Sequence, residues 1–509
     1  MEPRPALFSS LQHEVVANFL ICMAQFLCQG SITMSLATMN IILFSFKSVD
    51  PTKQVWFMGS FALTVGTFIL VSGKLGDIFG LKLIFCIGWF WTAISSLVTG
   101  LSVYSDSVVF FIICRAFQGI GFALLIPCGM GILGTVYSNG TARKNLVFGL
   151  VGVNGPVGAT ICAIMAAVVG QLWWWPWCFW LLAIVCFGCG IASIVYIPDI
   201  AKLQFRHLSG PDDFVKAPKF QFDFLGSSLG ISGLILFNFV WNQGPVAGWN
   251  TSYIIALLVV AVLLIAAFFY VELKVAKYPL LPKSIFTVKI GLVLLCISLG
   301  WGSFGVWQYY YWQFMFNLRH YTPIYAGLTY IPFLVGGTVA SLLVSAIISI
   351  TKPSYIISFA SICFMCGCIM LSVAPIDQSY FQITLGQQVI LCWAMDLSFP
   401  AAAIILSNYL PVHHQGMAGS LVSTVINYSV SLFLGIGSVV EFEVMENTGK
   451  VWFSYQSALR FGIGVAGLGV IFSLIFIAVQ RNDEVGTFKN EIDILDEKEL
   501  FIRKEPTTK

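Results

Sequence analysis

Two charged residues lie inside long apolar stretches of this chain. Arg115 follows the apolar run from Val108 to Cys114, about two turns of a helix. Asp396 lies in a comparable run, four residues before Pro400. A charge in such surroundings is costly and normally faces a watery cavity or a partner of opposite charge. Both residues are therefore candidates for contacting a polar solute or for exchanging a proton.

The pairing of these two residues is a hypothesis with an open alternative. Burial and a neighbouring arginine shift the proton affinity of a carboxyl group in opposite directions, so Asp396 facing Arg115 across one cavity would form a proton-coupling switch. Asp396 could instead cap or bond a helix that is broken near Pro400. For Arg115, the alternative is tight packing against the following helix.

Side-chain amides accompany the charged groups. Gln25, Gln29 and Thr33 are spaced four residues apart and form one polar stripe on a helix. Such a stripe either lines a cavity or hydrogen-bonds a neighbouring helix. Further amides stand close to the two charges in the sequence: Gln118, Gln387 and Gln388.

One apolar segment is rich in aromatic residues. Trp301, Phe304, Gln308 and Trp312 share one face by their spacing. This face could hold a flat or cationic organic molecule by stacking and cation–π contact. The alternative is an aromatic belt at the membrane surface, an interpretation that suits the neighbouring Tyr310 and Tyr311 best.

The composition requires a lipid environment. The 509 residues are 58% hydrophobic and 10% charged, whereas soluble domains carry about 25% charge. A net charge of +3 gives no reason to expect a nucleic-acid partner. The 14 cysteines all fall in apolar segments, which favours buried packing over a disulfide framework, and we expect no metal or cofactor.

Windows of about 20 apolar residues predict an all-α membrane protein with fourteen transmembrane helices. The predicted spans are 16–37, 55–73, 83–101, 107–133, 146–169, 174–197, 223–241, 252–272, 289–316, 324–350, 354–375, 380–406, 416–440 and 460–480.

The basic residues predict the orientation. With both termini inside, the inside segments hold 20 of the 26 Lys and Arg residues and the outside loops hold 5. This excess is the pattern expected of cytoplasmic loops, so both termini should be cytoplasmic. No signal-peptide pattern precedes the first span. The plasma membrane is the expected location, with the vacuolar membrane as the alternative.

The spans group as six, two and six, because two longer polar segments bracket the seventh and eighth. An internal repeat of six-helix halves is a common transporter plan, and here the two halves would flank an extra pair. The expected regions are a cytoplasmic N-terminus (1–15), an N-terminal six-helix bundle (16–197), a central segment with two extra transmembrane helices (198–288), a C-terminal six-helix bundle (289–480) and a cytoplasmic charged tail (481–509). Asn250, in a short outside loop, is a weak glycosylation site.

A glycine-rich turn joins the second and third spans. It reads Gly73-Lys-Leu-Gly76-Asp77-Ile-Phe-Gly80-Leu-Lys82, in which glycines permit a tight turn and close helix approach. The turn resembles the signature of the major facilitator superfamily. Two arginines usual in that signature are Ile78 and Leu81 here.

Three further segments resemble motifs of the same superfamily in the expected order. Arg115 to Ala123 is similar to the pattern of helix four, and Gly152, Gly155 and Pro156 belong to a segment that resembles the antiporter motif of helix five. Phe222 to Leu229 resembles the start of helix seven in the 14-spanning drug:proton antiporter family. A finer match is carried by Ala37-Thr-Met-Asn40 and by the run from Leu234 to Pro245, in which the chain resembles a fungal branch of aminotriazole-resistance, boron-efflux and low-affinity ammonium transporters.

The resemblance implies a secondary transporter that works by alternating access, with proton-driven export of a drug, toxin or metabolite as first choice. Many relatives carry an aspartate in helix one, but the matching stretch here, Leu36 to Asn40, has no acid. Uptake or facilitated movement of a small polar solute such as ammonium or borate is therefore the alternative, and a transporter-like nutrient sensor is a third. A small-molecule substrate, protons and the lipid bilayer are the expected partners of a monomer.

The sequence disfavours other membrane functions. It contains no G-x-x-x-x-G-K-[ST] phosphate loop, so an ATP-driven pump is not expected. A membrane enzyme would need a cluster of acid, base or metal-binding groups, whereas His413 and His414 form an isolated pair. We therefore expect a transporter and not an enzyme.

Overall fold

The computed structural model describes residues 5, 7–47, 49–137, 142–200, 222–277, 279–281, 283–410 and 415–480. These residues form helices and turns, with no strand among them. The predicted all-α class is confirmed. His413, His414 and the charged tail (481–509) lie outside the described residues.

Within the described residues, fourteen helices are long and apolar enough to cross a membrane, as predicted. We number them α1 (Leu11–Ala37), α2 (Val55–Phe79), α3 (Leu81–Leu101), α4 (Val108–Val136), α5 (Ala142–Leu172), α6 (Pro176–Tyr196), α7 (Phe224–Ala247), α8 (Ser252–Tyr270), α9 (Val288–Gln313), α10 (Ile331–Ile350), α11 (Pro353–Ser372), α12 (Ile383–Tyr409), α13 (Gln415–Thr448) and α14 (Val451–Val479). A short helix, Met39–Phe44, follows α1, and another, Pro323–Leu328, precedes α10.

Several helices differ from the predicted spans at their ends. α13 continues to Thr448 and α14 begins at Val451, so Glu441 and Arg460 both lie in helices. Charged residues lower the local hydropathy, but they do not interrupt backbone hydrogen bonding, so a hydropathy window ends before the helix does. α12 is continuous through Pro400, and the break considered from the sequence is absent.

The two six-helix halves pair their helices in the same order. In the first half, α1 packs on α5, α2 on α4, and α3 on both α4 and α6. In the second half, α9 packs on α13, α10 on α12, and α11 on both α12 and α14. Each pair in the second half is the first-half pair shifted by eight helices, the relationship expected of an internal repeat.

The halves meet along two helix pairs. α2 packs on α13 and α5 packs on α10, a symmetric arrangement under the same eight-helix shift. The extra helices α7 and α8 pack on each other, and α7 also contacts α13 and α2. The central pair is thereby attached to one of the two seams between the halves.

Candidate functional site

Arg115 lies fully buried in the first half, where five acceptors surround its guanidinium group. Nε donates to the carbonyl of Phe57 at 3.1 Å. One terminal nitrogen donates to the Ser31 hydroxyl at 2.8 Å and to Gln118 Oε1. The other donates to the Ser31 carbonyl at 3.0 Å and to the Ser35 hydroxyl at 3.3 Å. All five N–H groups of the side chain are therefore satisfied.

Neutral groups stabilise the Arg115 charge. Its guanidinium carbon lies 4.5 Å from the centre of the Phe61 ring and 5.8 Å from that of Phe179, within range of cation–π attraction. No carboxylate forms an ion pair with it in the part of the chain that the structure describes. The expected cavity or counter-charge is replaced in this conformation by hydroxyl, carbonyl and amide oxygens and by two aromatic faces.

Gln118 extends the Arg115 network to a fourth helix, α3. Its Nε2 donates to the hydroxyl of Ser96 on α3 at 2.7 Å, and its Oε1 accepts from Ser31 on α1 at 3.3 Å. Gln118 is fully buried. The network ties α1, α2, α3 and α4 together and lies within the first half.

Asp396 lies in the other half, beside the seam that α5 and α10 form. The Ser341 hydroxyl on α10 donates to Asp396 Oδ1 at 3.2 Å, while Oδ2 is buried without a hydrogen-bond partner. If Gly337 of α10 carried a side chain, its Cβ atom would lie 2.9 Å from Oδ2 and 2.5 Å from the Pro156 ring on α5. The carboxylate is thus separated from the first half by one glycine.

The hypothesis that Arg115 and Asp396 influence each other directly finds no contact to support it. Arg115 bonds the face of α1 that carries Ser31 and Ser35, whereas Asp396 lies near Pro156 on α5. No hydrogen bond or ion pair joins the two charges within the described ranges. Helix α1 bonds Arg115 on one side and packs against α5 on the other.

Gln25 and Gln29 are half-buried and lie over the α5 motif. A Cβ on Gly155 would lie 3.7 Å from Gln25 Nε2 and 3.9 Å from Gln29 Cγ. Gln25 also lines a narrow crevice between α1, α4 and α5. Thr33, the third member of the stripe, is buried and donates to the Ala159 carbonyl at 2.7 Å. The stripe therefore has an interhelical part and a partly accessible part.

The aromatic face of α9 points into the protein, against α10 and α12. Trp301 Nε1 donates to the Ser398 hydroxyl at 3.0 Å, and the Trp301 ring packs edge-on to Phe304 at 5.6 Å. Trp312 stacks on Tyr330 at 4.9 Å. Gln308 is buried on the same helix. These contacts place the predicted face inside the second half and away from lipid.

Tyr310 and Tyr311 are also buried, so the aromatic-belt interpretation is wrong for them. The Tyr311 hydroxyl donates to Thr329 Oγ1 at 2.7 Å, and Tyr310 donates to Glu441 Oε2 at 2.8 Å. Aromatic residues near a helix end look the same in a sequence whether they face lipid or protein. The contacts with Thr329, just before α10, and with Glu441 on α13 decide the matter here.

Gln387 and Gln388 are fully buried on α12 with incomplete hydrogen bonding. Trp307 Nε1 donates to Gln387 Oε1 at 3.0 Å. Gln388 Oε1 lies 3.5 Å from the Tyr380 hydroxyl, which donates to the Thr329 carbonyl at 2.7 Å. The Nε2 donors of both glutamines lack a partner. Two amide donors without partners lie beside stacked indole and phenol rings. Such a surface can bind a flat molecule by donating hydrogen bonds to its oxygen or nitrogen atoms.

An apolar groove lies among α10, α11 and α12. It measures about 400 Å³ and is lined by Ile347, Thr351, Tyr355, Ile356, Phe359, Trp393 and Leu397. Volumes in this range hold small organic molecules. The groove opens between α10 and α11, with α12 behind it.

The glycine-rich turn ends α2 and begins α3 as predicted. Gly80 has φ of 103°, a conformation that favours glycine, and its amide bonds the Gly76 carbonyl at 3.0 Å. A Cβ on Gly73 would lie 3.4 Å from the Ser420 hydroxyl on α13. Asp77 and Lys82 flank the turn. The turn therefore lies where α2 meets the second half.

The antiporter-like motif of α5 serves two interfaces. Gly152 lies near Ser341 on α10, with 3.8 Å between its built Cβ and the serine side chain, and Pro156 contacts Gly337. Gly155 faces the α1 amides, and Gly158 approaches Phe26 so closely that a Cβ would lie 2.1 Å from the Phe26 carbonyl oxygen. The motif allows α5 to touch both α1 and α10.

Glu441 lies one residue beyond the predicted span 416–440 and is not among the candidate residues named from the sequence. Its carboxylate accepts the Tyr310 hydroxyl, and the Tyr310 ring packs on Tyr455 of α14 at 5.5 Å. Its partner Tyr310 is 131 residues away in the chain, so the pairing could not be read from spacing. Asn250 is exposed between α7 and α8, and its glycosylation remains a prediction.

The chain was compared with known proteins. Residues 21–436 match the model of the Major Facilitator Superfamily. The chain is 42% identical to the aminotriazole resistance protein of Saccharomyces cerevisiae over 93% of this chain and 85% of that protein. It is 41% identical to the low affinity ammonium transporter of the same yeast, over 95% of this chain and 91% of that protein.

One further relative and one solved structure are also similar to this chain. Efflux pump terJ of Aspergillus terreus is 37% identical over 92% of this chain and 88% of that protein. The crystal structure of the human organic anion transporter MFSD10 (TETRAN) superposes with a TM-score of 0.60 at 14% identity, covering 90% of this chain and 99% of that one. At that identity the structure shows the fold alone. The chain therefore belongs to the Major Facilitator Superfamily and is a multi-pass membrane transporter, not an enzyme.

Proposed function

We propose that the protein exports a small organic drug, toxin or metabolite in exchange for protons, by rocking its two halves about a central site. Both termini would be cytoplasmic, because most basic residues then lie inside. The plasma membrane is the proposed location, and a monomer suffices because each chain carries both halves.

The observation that carries the proposal is the position of Asp396. Among the described residues its Oδ2 has no hydrogen-bond partner, and Gly337 lies against both this atom and Pro156 of the opposite half. A carboxyl group at a moving seam changes its surroundings when the seam opens, and such a change alters its proton affinity. Proton binding at Asp396 would thereby be linked to rocking.

The aromatic and amide side chains of the second half suit an organic substrate. Trp301, Phe304 and Gln308 supply an aromatic surface with an amide, while Gln387 and Gln388 offer unmatched donors. On the other side of the path, Gln25 and Gln29 are partly accessible. Arg115 and Gln118 would act indirectly, by fixing the position of α1.

The names of the relatives fall into two functional classes, efflux and ammonium transport, so we also consider a second function. A related yeast protein bears the name low affinity ammonium transporter, and another relative is named an efflux pump. The stretch from Leu36 to Asn40 has no acid. Movement of ammonium or borate without proton exchange is therefore the alternative.

Transport into sealed vesicles tests the proposal. Purified protein is reconstituted, and accumulation of aminotriazole, ammonium and borate is measured with and without a pH difference. Proton exchange predicts that the pH difference drives accumulation of an organic substrate and that Asp396→Asn abolishes this driven part. Asp377→Asn, in the exposed loop between α11 and α12, is the matched control and should behave as the native protein does.

Each outcome separates the candidates. Accumulation that ignores both the pH difference and the Asp396→Asn change would refute proton coupling through Asp396. Movement of ammonium or borate down its gradient, with no organic substrate accumulated, would favour the alternative.

A further inference from the structure

Four side-chain amides join the two halves at the end of the bundle where α1 ends and α2 begins. Asn40 follows α1 and Gln54 precedes α2, whereas Gln313 and Asn317 lie at the end of α9. The first two belong to one half and the last two to the other. The sequence analysis assigned no role to Gln54, Gln313 or Asn317.

The four amides form a closed ring of hydrogen bonds. Gln54 Nε2 donates to Asn40 Oδ1 at 2.8 Å, and Asn40 Nδ2 donates to Asn317 Oδ1 at 3.3 Å. Asn317 Nδ2 donates to Gln313 Oε1 at 2.5 Å, and Gln313 Nε2 donates to Gln54 Oε1 at 3.0 Å. Within the ring, each amide donates one hydrogen bond and accepts one. The ring is therefore complete only when the two halves are in contact.

Two of the four bonds cross between the halves. They are the bonds from Asn40 to Asn317 and from Gln313 to Gln54. Gln54 and Gln313 are each 4% exposed, whereas Asn317 reaches the surface. The ring thus extends from solvent into the protein, as a seal across a path must.

The two ring residues that belong to the second half, Gln313 and Asn317, are each hydrogen-bonded to a tyrosine of that half. Tyr309 accepts a second bond from Gln313 at 2.7 Å, and Tyr455 accepts one from Asn317 at 2.9 Å. These contacts remain when the halves separate, because all four residues belong to the second half. Opening would therefore break the two crossing bonds and leave the Gln313 and Asn317 side chains positioned to close again.

We infer that the ring of Asn40, Gln54, Gln313 and Asn317 is the outer gate of the transport path, closed in this conformation and opened by separation of the two halves. The inference rests on the proposed alternating access and on the orientation that places this end outside. A gate of neutral amides suits repeated opening, because each amide can exchange its partner for water at small net cost. A seal of buried charges would pay a larger desolvation penalty on closing.

Accessibility of a cysteine beneath the ring tests the gate without any substrate. The reporter is Gln29→Cys on α1, partly exposed in the protein. A membrane-impermeant maleimide is added to the face that carries Asn40, and labelling of the protein without the reporter is subtracted to remove native cysteines. Gln313→Met removes one crossing bond at nearly constant volume and should raise the labelling rate about fivefold, the effect of one net hydrogen bond.

Gln456→Met is the matched control. Gln456 also lies near this end and bonds the Ser372 carbonyl at 2.8 Å, but both residues belong to the second half. Its labelling rate should equal that of the protein carrying the reporter alone. Equal rates for Gln313→Met and Gln456→Met would overturn the gate.

A cross-link provides a second measurement that does not depend on the stability of the Gln313 variant. In a protein with Asn40→Cys, Asn317→Cys and the reporter, oxidation to a disulfide cross-link between residues 40 and 317 should stop labelling at the reporter, and reduction should restore it; the protein with Asn40→Cys and the reporter alone, oxidised in the same way, should keep its labelling. Undiminished labelling after cross-linking would contradict the proposal. Because labelling needs no substrate or pH difference, its failure is distinguishable from failure of proton exchange in the vesicle assay.

Discussion

Gly66 on α2 lies directly against the backbone of Tyr428 on α13. A Cβ built on Gly66 would be 2.5 Å from the Tyr428 amide nitrogen and 3.0 Å from its Cα. Neither atom can move without displacing α13. One of the two seams between the halves is therefore a contact of helix backbones, which only glycine permits.

Gly66→Ala should impair alternation of the halves. The added methyl group must push α13 away, and overpacking of this kind costs about 1–3 kcal/mol. We expect a transport rate roughly tenfold lower at normal expression, since about 1.4 kcal/mol corresponds to a factor of ten. Gly188→Ala on α6 is the control, because nothing lies within 4 Å of its built Cβ. Equal transport by the two variants would show that the seam tolerates the methyl group.

Arg115→Lys should destabilise the first half despite keeping the charge. Lysine has three N–H donors where the arginine fork uses five, so at least two acceptors lose their partner. The expected loss is about 3 kcal/mol or more of unfolding free energy, given the strength of bonds to charged groups. Thermal unfolding followed by tryptophan fluorescence in detergent measures the effect.

Arg460→Lys is the control for that measurement. Arg460 is exposed on α14, and its guanidinium lies over the Phe453 ring at 5.5 Å. We expect little change in its unfolding temperature. A comparable loss in both variants would mean that the Arg115 network contributes no more than a surface arginine does.

The Tyr310–Glu441 hydrogen bond should appear as a coupling energy. Tyr310→Phe removes the donor, and Glu441→Gln removes the acid while keeping an acceptor. In a double-mutant cycle of unfolding free energies, we expect a coupling of about 1–1.5 kcal/mol, the difference between a bond to a charged acceptor and a bond to the neutral amide acceptor that glutamine keeps.

Tyr428→Phe combined with Glu441→Gln is the matching control cycle. The Tyr428 hydroxyl bonds the Leu234 carbonyl at 3.1 Å and makes no hydrogen bond with Glu441 among the described contacts. These changes should add without coupling. Additivity in the Tyr310 cycle as well would show that the bond between α9 and α13 is not maintained in the membrane protein.

The spans and the glycine-rich turn could be predicted because both depend on local properties. Twenty apolar residues in a row must satisfy their backbone hydrogen bonds within a helix when water is absent. The turn at Gly80 needs a positive φ, which glycine adopts readily. Helix ends were less accurate, as α14 shows by beginning at Val451.

The sequence by itself determined that this chain crosses the membrane fourteen times and that Arg115 and Asp396 are exceptional charges within it. Only the tertiary structure decided what each charge meets. The acceptors of Arg115 come from three helices, Asp396 meets Ser341 and not the arginine, and the amide ring draws on both halves. Hydropathy sums over neighbours in the chain, whereas hydrogen bonds depend on direction and distance between residues far apart in it.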